Sequence, residues 1–206
     1  MAKTPVSVQE AKNLSNEDKE ELLRAIEQEA KDNEVEYWGC SQAVLKALQR
    51  CFNLGNDEVF KAASPFAGGV GRLREACGAL TGGVMAIGLA YGRGKYETGK
   101  VAMEQPDFNE ALVRANKFGE RFKEKFGSLR CGDVKLSIRG IDHDEHSRIT
   151  TIEGFEDHKK CGDVTGPAAR LAAEIILQPT ELLADEINSF SEDLKEVRKQ
   201  QQKQKS

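Results

Sequence analysis

The stretch AGGVGRLREACGALTGGVMAIGLAYGR, from Ala67 to Arg93, combines glycine, cysteine and an uncharged helical run as no other part of the chain does. Its second half, from Cys77 to Gly92, has sixteen residues without a charge, whereas a membrane-spanning helix needs about 20 apolar residues. We therefore predict a buried central helix. Because glycine costs about 1 kcal/mol relative to alanine inside a helix, the four glycines in its interior, Gly78, Gly82, Gly83 and Gly88, indicate close approach by neighbouring backbone or by a cofactor.

The residues around Cys77 predict a site that holds sulfur as an anion. Cys77 lies at the expected first turn of the helix, where free N–H groups and the helix dipole favour a thiolate. The turn before it contains the glycines and arginines Gly68, Gly69, Gly71, Arg72 and Arg74. The amides of such a turn can face an anion, and the arginines add positive charge. A nucleotide loop is disfavoured because neither GxGxxG after a strand nor Gly-Lys-Ser/Thr is present.

Hydrophobic periodicity predicts further helices on both sides of this stretch. They are expected from Ser15 to about Asp32, from Cys40 to about Cys51, from Asn56 to Ala63, from Pro106 to Phe126, from Pro167 to Leu177 and after Thr180. The segment 134–160 breaks the pattern, because Lys135 to Arg139 alternate as a short strand does. The predicted fold is all-α: a multi-helix bundle around a glycine-rich central helix, with a small irregular or β-hairpin insertion.

Composition excludes several classes of function. The net charge of −4, without a basic patch, argues against a nucleic-acid partner, and no segment is expected to insert into a membrane. The first ten residues lack the apolar run of a signal peptide, so we expect a cytoplasmic protein whose thiols are reduced unless they bind a metal. No Ser-His-Asp, Cys-His or carboxylate-pair arrangement indicates a hydrolase or a transferase.

Four of the five cysteines resemble the pattern of the C-GCAxxG-C-C family of redox-active proteins. CGALTG, from Cys77 to Gly82, matches the CGAxxG motif. Cys40 in WGCSQAVLKAL is similar to the upstream cysteine, and Cys131 and Cys161, each followed by Gly-Asp-Val, are similar to the third and fourth. The resemblance covers roughly Tyr37 to Leu177. It implies a small, mostly helical protein that carries electrons, and a similar module in certain multihaem cytochromes holds an iron–sulfur cluster.

With this resemblance, we expect Cys40, Cys77, Cys131 and Cys161 to bind an iron–sulfur cluster of unspecified nuclearity, and Gly68, Gly69, Gly71, Arg72, Arg74 and Gly78 to surround it. Cys51 is eleven positions from Cys40, about 16 Å along a helix, and is expected to be a small core residue. Two alternatives stay open: a thiol–disulfide protein or sensor that uses the same cysteines, and a helical interaction protein with a structural zinc ion. The intervals of 37, 54 and 30 positions between the four cysteines contain no CxxC pair, which both alternatives usually show.

The predicted organisation has three parts: a loose N-terminal arm at 1–14, a helical redox domain at 15–178, and a C-terminal helix with a disordered tail at 179–206. The acidic residues and histidines at Asp142, His143, Asp144 and His146 are more typical of a solvated loop than of a metal site. The last helix carries a short heptad seam of Leu183, Ile187, Phe190, Leu194 and Val197, which predicts a homodimer, with packing on its own bundle as the alternative. The expected partner is another redox protein, of unknown identity.

Overall fold

A computed structural model describes residues 5–98, 100–139 and 159–205. Its α-helices are α1 (Val8–Lys12), α2 (Asn16–Tyr37), α3 (Cys40–Phe52), α4 (Asp57–Ala63), α5 (Gly78–Tyr91), α6 (Pro106–Phe126), α7 (Cys131–Arg139), α8 (Gly162–Leu177) and α9 (Ala184–Lys205). Short 3-10 turns occupy Ser64–Phe66, Ala102–Glu104 and Thr180–Leu183. The described residues form no β-sheet. A single isolated antiparallel bridge joins Ala76 and Arg130. The predicted all-α class is confirmed.

The core forms where α2, α3, α5 and α8 pack together. α2 contacts α8 and α3, α3 also contacts α5, and α5 contacts both α8 and α6. Side chains at the centre, among them Ile26, Leu45, Ile87, Phe118 and Ile176, are at most 1% exposed. These helices therefore enclose one common core, and α6 packs against α5 and α8 at its side.

Several helix ends lie where local signals in the sequence predict them. Ser15 caps α2 by accepting a hydrogen bond from the amide of Asp18 at 3.1 Å, and Asn56 caps α4 through the amide of Val59 at 3.1 Å. Gly127, with φ of 80°, ends α6. These bonds satisfy N–H groups that the first turn of a helix leaves without a partner.

Two predictions for the first half of the chain are corrected. The segment 1–14 is not a loose arm from residue 5 onward, because α1 forms there with a capping box between Ser7 and Glu10, and Ala11 is fully buried. α2 continues to Tyr37 rather than ending near Asp32. The added turns bury Glu34, a charged residue that the hydrophobic pattern could not count.

Three predictions for the second half are also corrected. Residues 135–139, predicted as a strand, belong to α7, because Val134 and Ile138, one helical turn apart, both pack on the core. α8 begins at Gly162, with Pro167 inside it, rather than at Pro167. The C-terminal tail is helical to Lys205 rather than disordered. The rest of the predicted insertion, residues 140–158 with Asp142, His143, Asp144 and His146, lies outside the described residues.

Arg114 fixes the end of α8 against α6 from a fully buried position. Its guanidinium donates to the carbonyl oxygens of Ile175 at 2.6 Å and Gln178 at 3.0 Å, and it pairs with the carboxylate of Glu110 at 2.7 Å. The same guanidinium stacks on the ring of Tyr91, 3.9 Å from its centre. The buried charge is thus balanced by a carboxylate, two carbonyl oxygens and an aromatic face.

The first two residues of the predicted heptad seam pack within the chain. Leu183 and Ile187 form a small buried cluster with Val113 of α6, whereas Val197 is 50% exposed. No helix among the described residues has the length and apolarity that crossing a membrane requires.

Candidate functional site

The four cysteines of the predicted site all stand at helix starts. Cys40 and Cys131 are the first residues of α3 and α7, and Cys77 and Cys161 are the N-cap residues of α5 and α8. Cys77, Cys131 and Cys161 are 5%, 4% and 8% exposed, and Cys40 is half-buried. Each thiol is therefore next to amide groups that the helix itself does not satisfy, at the positive end of a helix dipole.

Backbone pairing holds Cys77 and Cys131 side by side. On either side of the Ala76–Arg130 bridge, the amide of Cys77 donates to the carbonyl of Leu129 at 2.9 Å, and the amide of Cys131 donates to the carbonyl of Glu75 at 2.6 Å. Two residues that are 54 positions apart in the sequence are thus joined by a few main-chain bonds, which no local sequence signal could reveal.

Two glycines of CGALTG are required because the start of α3 packs directly against the start of α5. A Cβ atom on Gly78 would lie 2.3 Å from the sulfur of Cys40, and one on Gly82 would lie 2.4 Å from the carbonyl oxygen of Ser41. Contacts this short are not possible for a real Cβ atom, so both positions require glycine. The motif therefore makes room for the Cys40 sulfur beside Cys77.

A second copy of the same pattern positions Cys161. The hexapeptide CGDVTG at 161–166 shares Cys-Gly-x-x-Thr-Gly with CGALTG at 77–82, and its glycines again press on a neighbouring helix. A Cβ on Gly166 would lie 2.8 Å from the carbonyl oxygen of Glu27, and the hydroxyl of Thr165 donates to the carbonyl of Ala30 at 3.2 Å. The sequence carries a signal for this relation, because four of the six residues are identical in the two hexapeptides, although the prediction above used only the Cys-Gly-Asp-Val tetrapeptide.

The turn before α5 has an unusual left-handed backbone. Positive φ angles occur at Gly68 (71°), Gly69 (76°), Val70 (60°), Gly71 (62°), Arg72 (68°) and Arg74 (64°). A left-handed conformation costs a residue other than glycine roughly 1–2 kcal/mol. Main-chain bonds hold the turn in place, among them Gly71 to Pro65 at 2.6 Å, Glu75 to Gly69 at 3.1 Å and Gly132 to Arg74 at 3.1 Å. The strain is concentrated beside the cysteines, which is where functional sites commonly hold it.

The predicted residues around the cysteines divide into two groups. Gly68 donates its amide to the sulfur of Cys40, and a Cβ on Gly69 would lie 2.6 Å from the Cβ of Cys131, so both glycines contact cysteines, as Gly78 does. A Cβ on Gly71, by contrast, would meet nothing within 4 Å.

The two arginines of the turn differ in exposure and in the contacts they make. Arg72 is exposed. Arg74 reaches α7, where its carbonyl accepts from Gly132. Solvent therefore screens the positive charge of Arg72, which weakens its influence on the pKa of the thiols.

Electrostatics link the four sulfurs. Burial raises the pKa of Cys40 well above the usual thiol value, the charges of Glu34 and Cys77 raise it further, the Gly68 amide opposes them, and Cys161 adds a smaller increase. Burial followed by the charge of Cys131 raises the pKa of Cys77 to about 12, against the amides of Ala79 and Leu80. The sulfurs thus influence one another across one region, and at neutral pH burial keeps Cys40 and Cys77 protonated.

Glu34 is a member of this region that the sequence did not single out. It is 1% exposed and its negative charge acts on Cys40. The available signal was the spacing of Ile26, Ala30 and Glu34, which are one helical turn apart and therefore share the buried face of α2.

None of the five cysteines, all of which lie within the described residues, forms a disulfide in the structure. Among the described residues, no group of three or more His, Cys, Asp or Glu side chains could hold a metal ion as they stand. The chemistry of the donor set nevertheless fits an iron–sulfur cluster, because four cysteine thiolates are its usual ligands. Cys51 lies on the later part of α3, half-buried, and packs against the core.

Comparisons with known proteins bear on this arrangement. The model of the family described as "Putative redox-active protein (C_GCAxxG_C_C)" matches residues 38–175, a span that contains all four helix-start cysteines. No curated protein and no solved structure matches the chain. The chain belongs to the C_GCAxxG_C_C family of redox-active proteins.

Proposed function

We propose that Cys40, Cys77, Cys131 and Cys161 together bind one iron–sulfur cluster and that the protein carries electrons. The observations that carry the proposal link the four cysteines in pairs. Cys40 lies against Gly78, next to Cys77, and the Ala76–Arg130 bridge holds Cys77 beside Cys131. The charge of Cys161 acts on both Cys40 and Cys77. Four thiolates in a dry pocket with amide donors are what such a cluster requires.

Four thiolates close together repel one another, and backbone groups of this chain would offset that repulsion. Each of the four helix starts offers unsatisfied amides and a positive dipole end, and the Gly68 amide already donates to the Cys40 sulfur. A bound metal centre deprotonates its thiol ligands outright, so the raised pKa values of Cys40 and Cys77 describe the metal-free protein. When bound, an iron–sulfur cluster supplies reversible one-electron chemistry.

A thiol–disulfide function is the second candidate, and the same region would serve it. The burial of Cys77 and the bridge that holds it beside Cys131 bring two thiols together. Reactive thiols, however, are usually partly exposed and have a lowered pKa, whereas burial raises the pKa of Cys77 to about 12. We therefore favour the cluster and treat a disulfide, or a structural zinc ion, as an outcome of the test.

Electron transfer needs a donor and an acceptor, and we propose that both are other redox proteins of the cytoplasm. A one-electron carrier needs no general acid or base. This agrees with the absence of a hydrolase-type arrangement from the sequence.

The test is a series of cysteine-to-alanine variants prepared anaerobically, with iron, acid-labile sulfide and the visible spectrum measured for each. Replacing Cys40, Cys77, Cys131 or Cys161 should abolish or destabilise the cluster. The matched control is Cys51→Ala, which should keep the cluster because Cys51 is the one cysteine away from a helix start. Loss of the spectrum in Cys51→Ala with retention in Cys40→Ala would show that the ligand set is wrong.

A further inference from the structure

The buried carboxyl group of Glu34 has no role in the scheme above. It lies in the last turns of α2 and is 1% exposed, a degree of burial that charged residues rarely reach. Its backbone carbonyl accepts a hydrogen bond from the amide of Trp38 at 3.2 Å, so it also belongs to the turn that leads from α2 into Cys40. A buried charge of this kind needs a reason.

The packing of α2 against α8 places Glu34 between two of the cysteines. The two helices run in opposite directions, because Gly162 lies against Lys31 and Val35 whereas Gly166 lies against Glu27. Cys161, one residue before Gly162, is therefore near the C-terminal end of α2. Cys40 begins α3 only three positions after α2 ends, so Glu34 lies where the starts of α3 and α8 meet.

Other charges at this contact are more exposed. The Lys31–Asp163 ion pair, at 2.7 Å, has side chains that are 45% and 62% exposed, so water and salt screen it. Glu34 is only 1% exposed, so solvent reaches its carboxyl group far less, and after burial its negative charge is the strongest influence that raises the pKa of Cys40.

We propose that Glu34 tunes the four-cysteine site: the negative charge of its buried carboxylate lowers the reduction potential of that site. This inference rests on the proposed function. Adding one electron makes the site more negative by one charge, and a fixed negative charge nearby opposes that change. Inside the protein this repulsion is much stronger than in water and is only weakly screened by salt. Glu34 thereby suits the protein to donating electrons rather than accepting them.

The test compares midpoint potentials, measured by spectroelectrochemistry, of the wild type and four variants that hold the cluster. Glu34→Gln removes the charge with little change of shape and should raise the potential. Glu34→Asp keeps the charge and should stay near the wild type. Glu36→Gln is the matched control, because Glu36 is on the same helix but exposed, and should leave the potential unchanged. If Glu34→Gln does not fold, Glu34→Met supplies an uncharged side chain of similar length.

Salt separates a buried charge from a surface charge. The shift caused by Glu34→Gln should persist from about 0.01 M to about 1 M salt, over which the Debye length falls from about 30 Å to about 3 Å. An unchanged potential in Glu34→Gln, or an equal shift in Glu36→Gln, overturns this inference while the cluster stays established. Absence of iron and sulfide from every protein, the wild type included, overturns the proposed function and this inference with it.

Discussion

Replacing Gly78 by alanine tests the contact that explains the CGALTG motif. The new Cβ would lie 2.3 Å from the sulfur of Cys40, 3.1 Å from the carbonyl oxygen of Phe66 and 3.2 Å from the amide nitrogen of Ser41. Ordinary van der Waals contact begins at 3.4 Å, so the sulfur must move by about 1.1 Å, the difference from 2.3 Å. Either the Cys40 side chain rotates away from the other cysteines or α3 shifts, and both changes disturb the site.

Gly88→Ala on the same helix is the matched control, because a Cβ there meets nothing within 4 Å. Gly88→Ala gains about 1 kcal/mol of helix propensity, and Gly78→Ala, at the first residue of α5, gains no more than that. Gly78→Ala should therefore be less stable than Gly88→Ala by at least its steric cost, about 1–3 kcal/mol. We expect Gly88→Ala to be more stable than the wild type and to keep the cluster. We expect Gly78→Ala to gain no stability, or to lose up to about 2 kcal/mol, and to bind less iron.

The assays are urea unfolding of the metal-free proteins and iron content after anaerobic reconstitution. If Gly78→Ala gains as much stability as Gly88→Ala and binds as much iron, the Cys40 sulfur does not lie against Gly78. The explanation of the motif would then be wrong.

Three further predictions concern the turn, the thiols and the core. Gly69→Ala should lose more stability and more iron than Gly71→Ala, because both have positive φ angles but only Gly69 lies against Cys131; equal losses in urea unfolding and iron content would contradict this. The free energy of unfolding of the metal-free protein should fall above about pH 9, because folded Cys77 keeps its proton up to about 12 while the unfolded thiol loses it near 9.0. Cys77→Ala should flatten that part of a pH series of urea denaturations, and an unchanged slope would count against the burial of this thiol. Arg114→Met should lower the free energy of unfolding by about 3–5 kcal/mol, since it strands the carboxylate and carbonyl oxygens bonded to the guanidinium; a thermal midpoint close to that of the wild type would contradict this.

The sequence predicts those parts of the fold that local interactions determine. The Ser15 and Asn56 caps, the stop at Gly127 and the start of α3 at Cys40 each depend on a few neighbouring residues. Helical periodicity gave the all-α class for the same reason, since the core face of each helix repeats within its own length. The four cysteines could be singled out because their surroundings are also local: a helix start or a glycine turn.

Features that depend on distant contacts could not be predicted. The left-handed backbone at Val70 and Arg72 has no sequence signal, because neither residue type prefers it, and bonds to Pro65 and α7 hold the turn. The alternation of polar and apolar residues from Lys135 to Arg139 fits a strand as well as a short helix. The helix is favoured because α7 packs against the core, a contact with distant residues. The burial of Glu34 follows only once α2 is known to continue to Tyr37.

The central claim, that the four helix-start cysteines hold one iron–sulfur cluster, is tested most directly by metal and sulfide analysis of the anaerobically purified wild-type protein. We predict a brown protein that contains iron and acid-labile sulfide in near-equal amounts, with no stoichiometric zinc. A colourless protein with stoichiometric zinc, or a metal-free protein with a reversible disulfide between two of these cysteines, would contradict it.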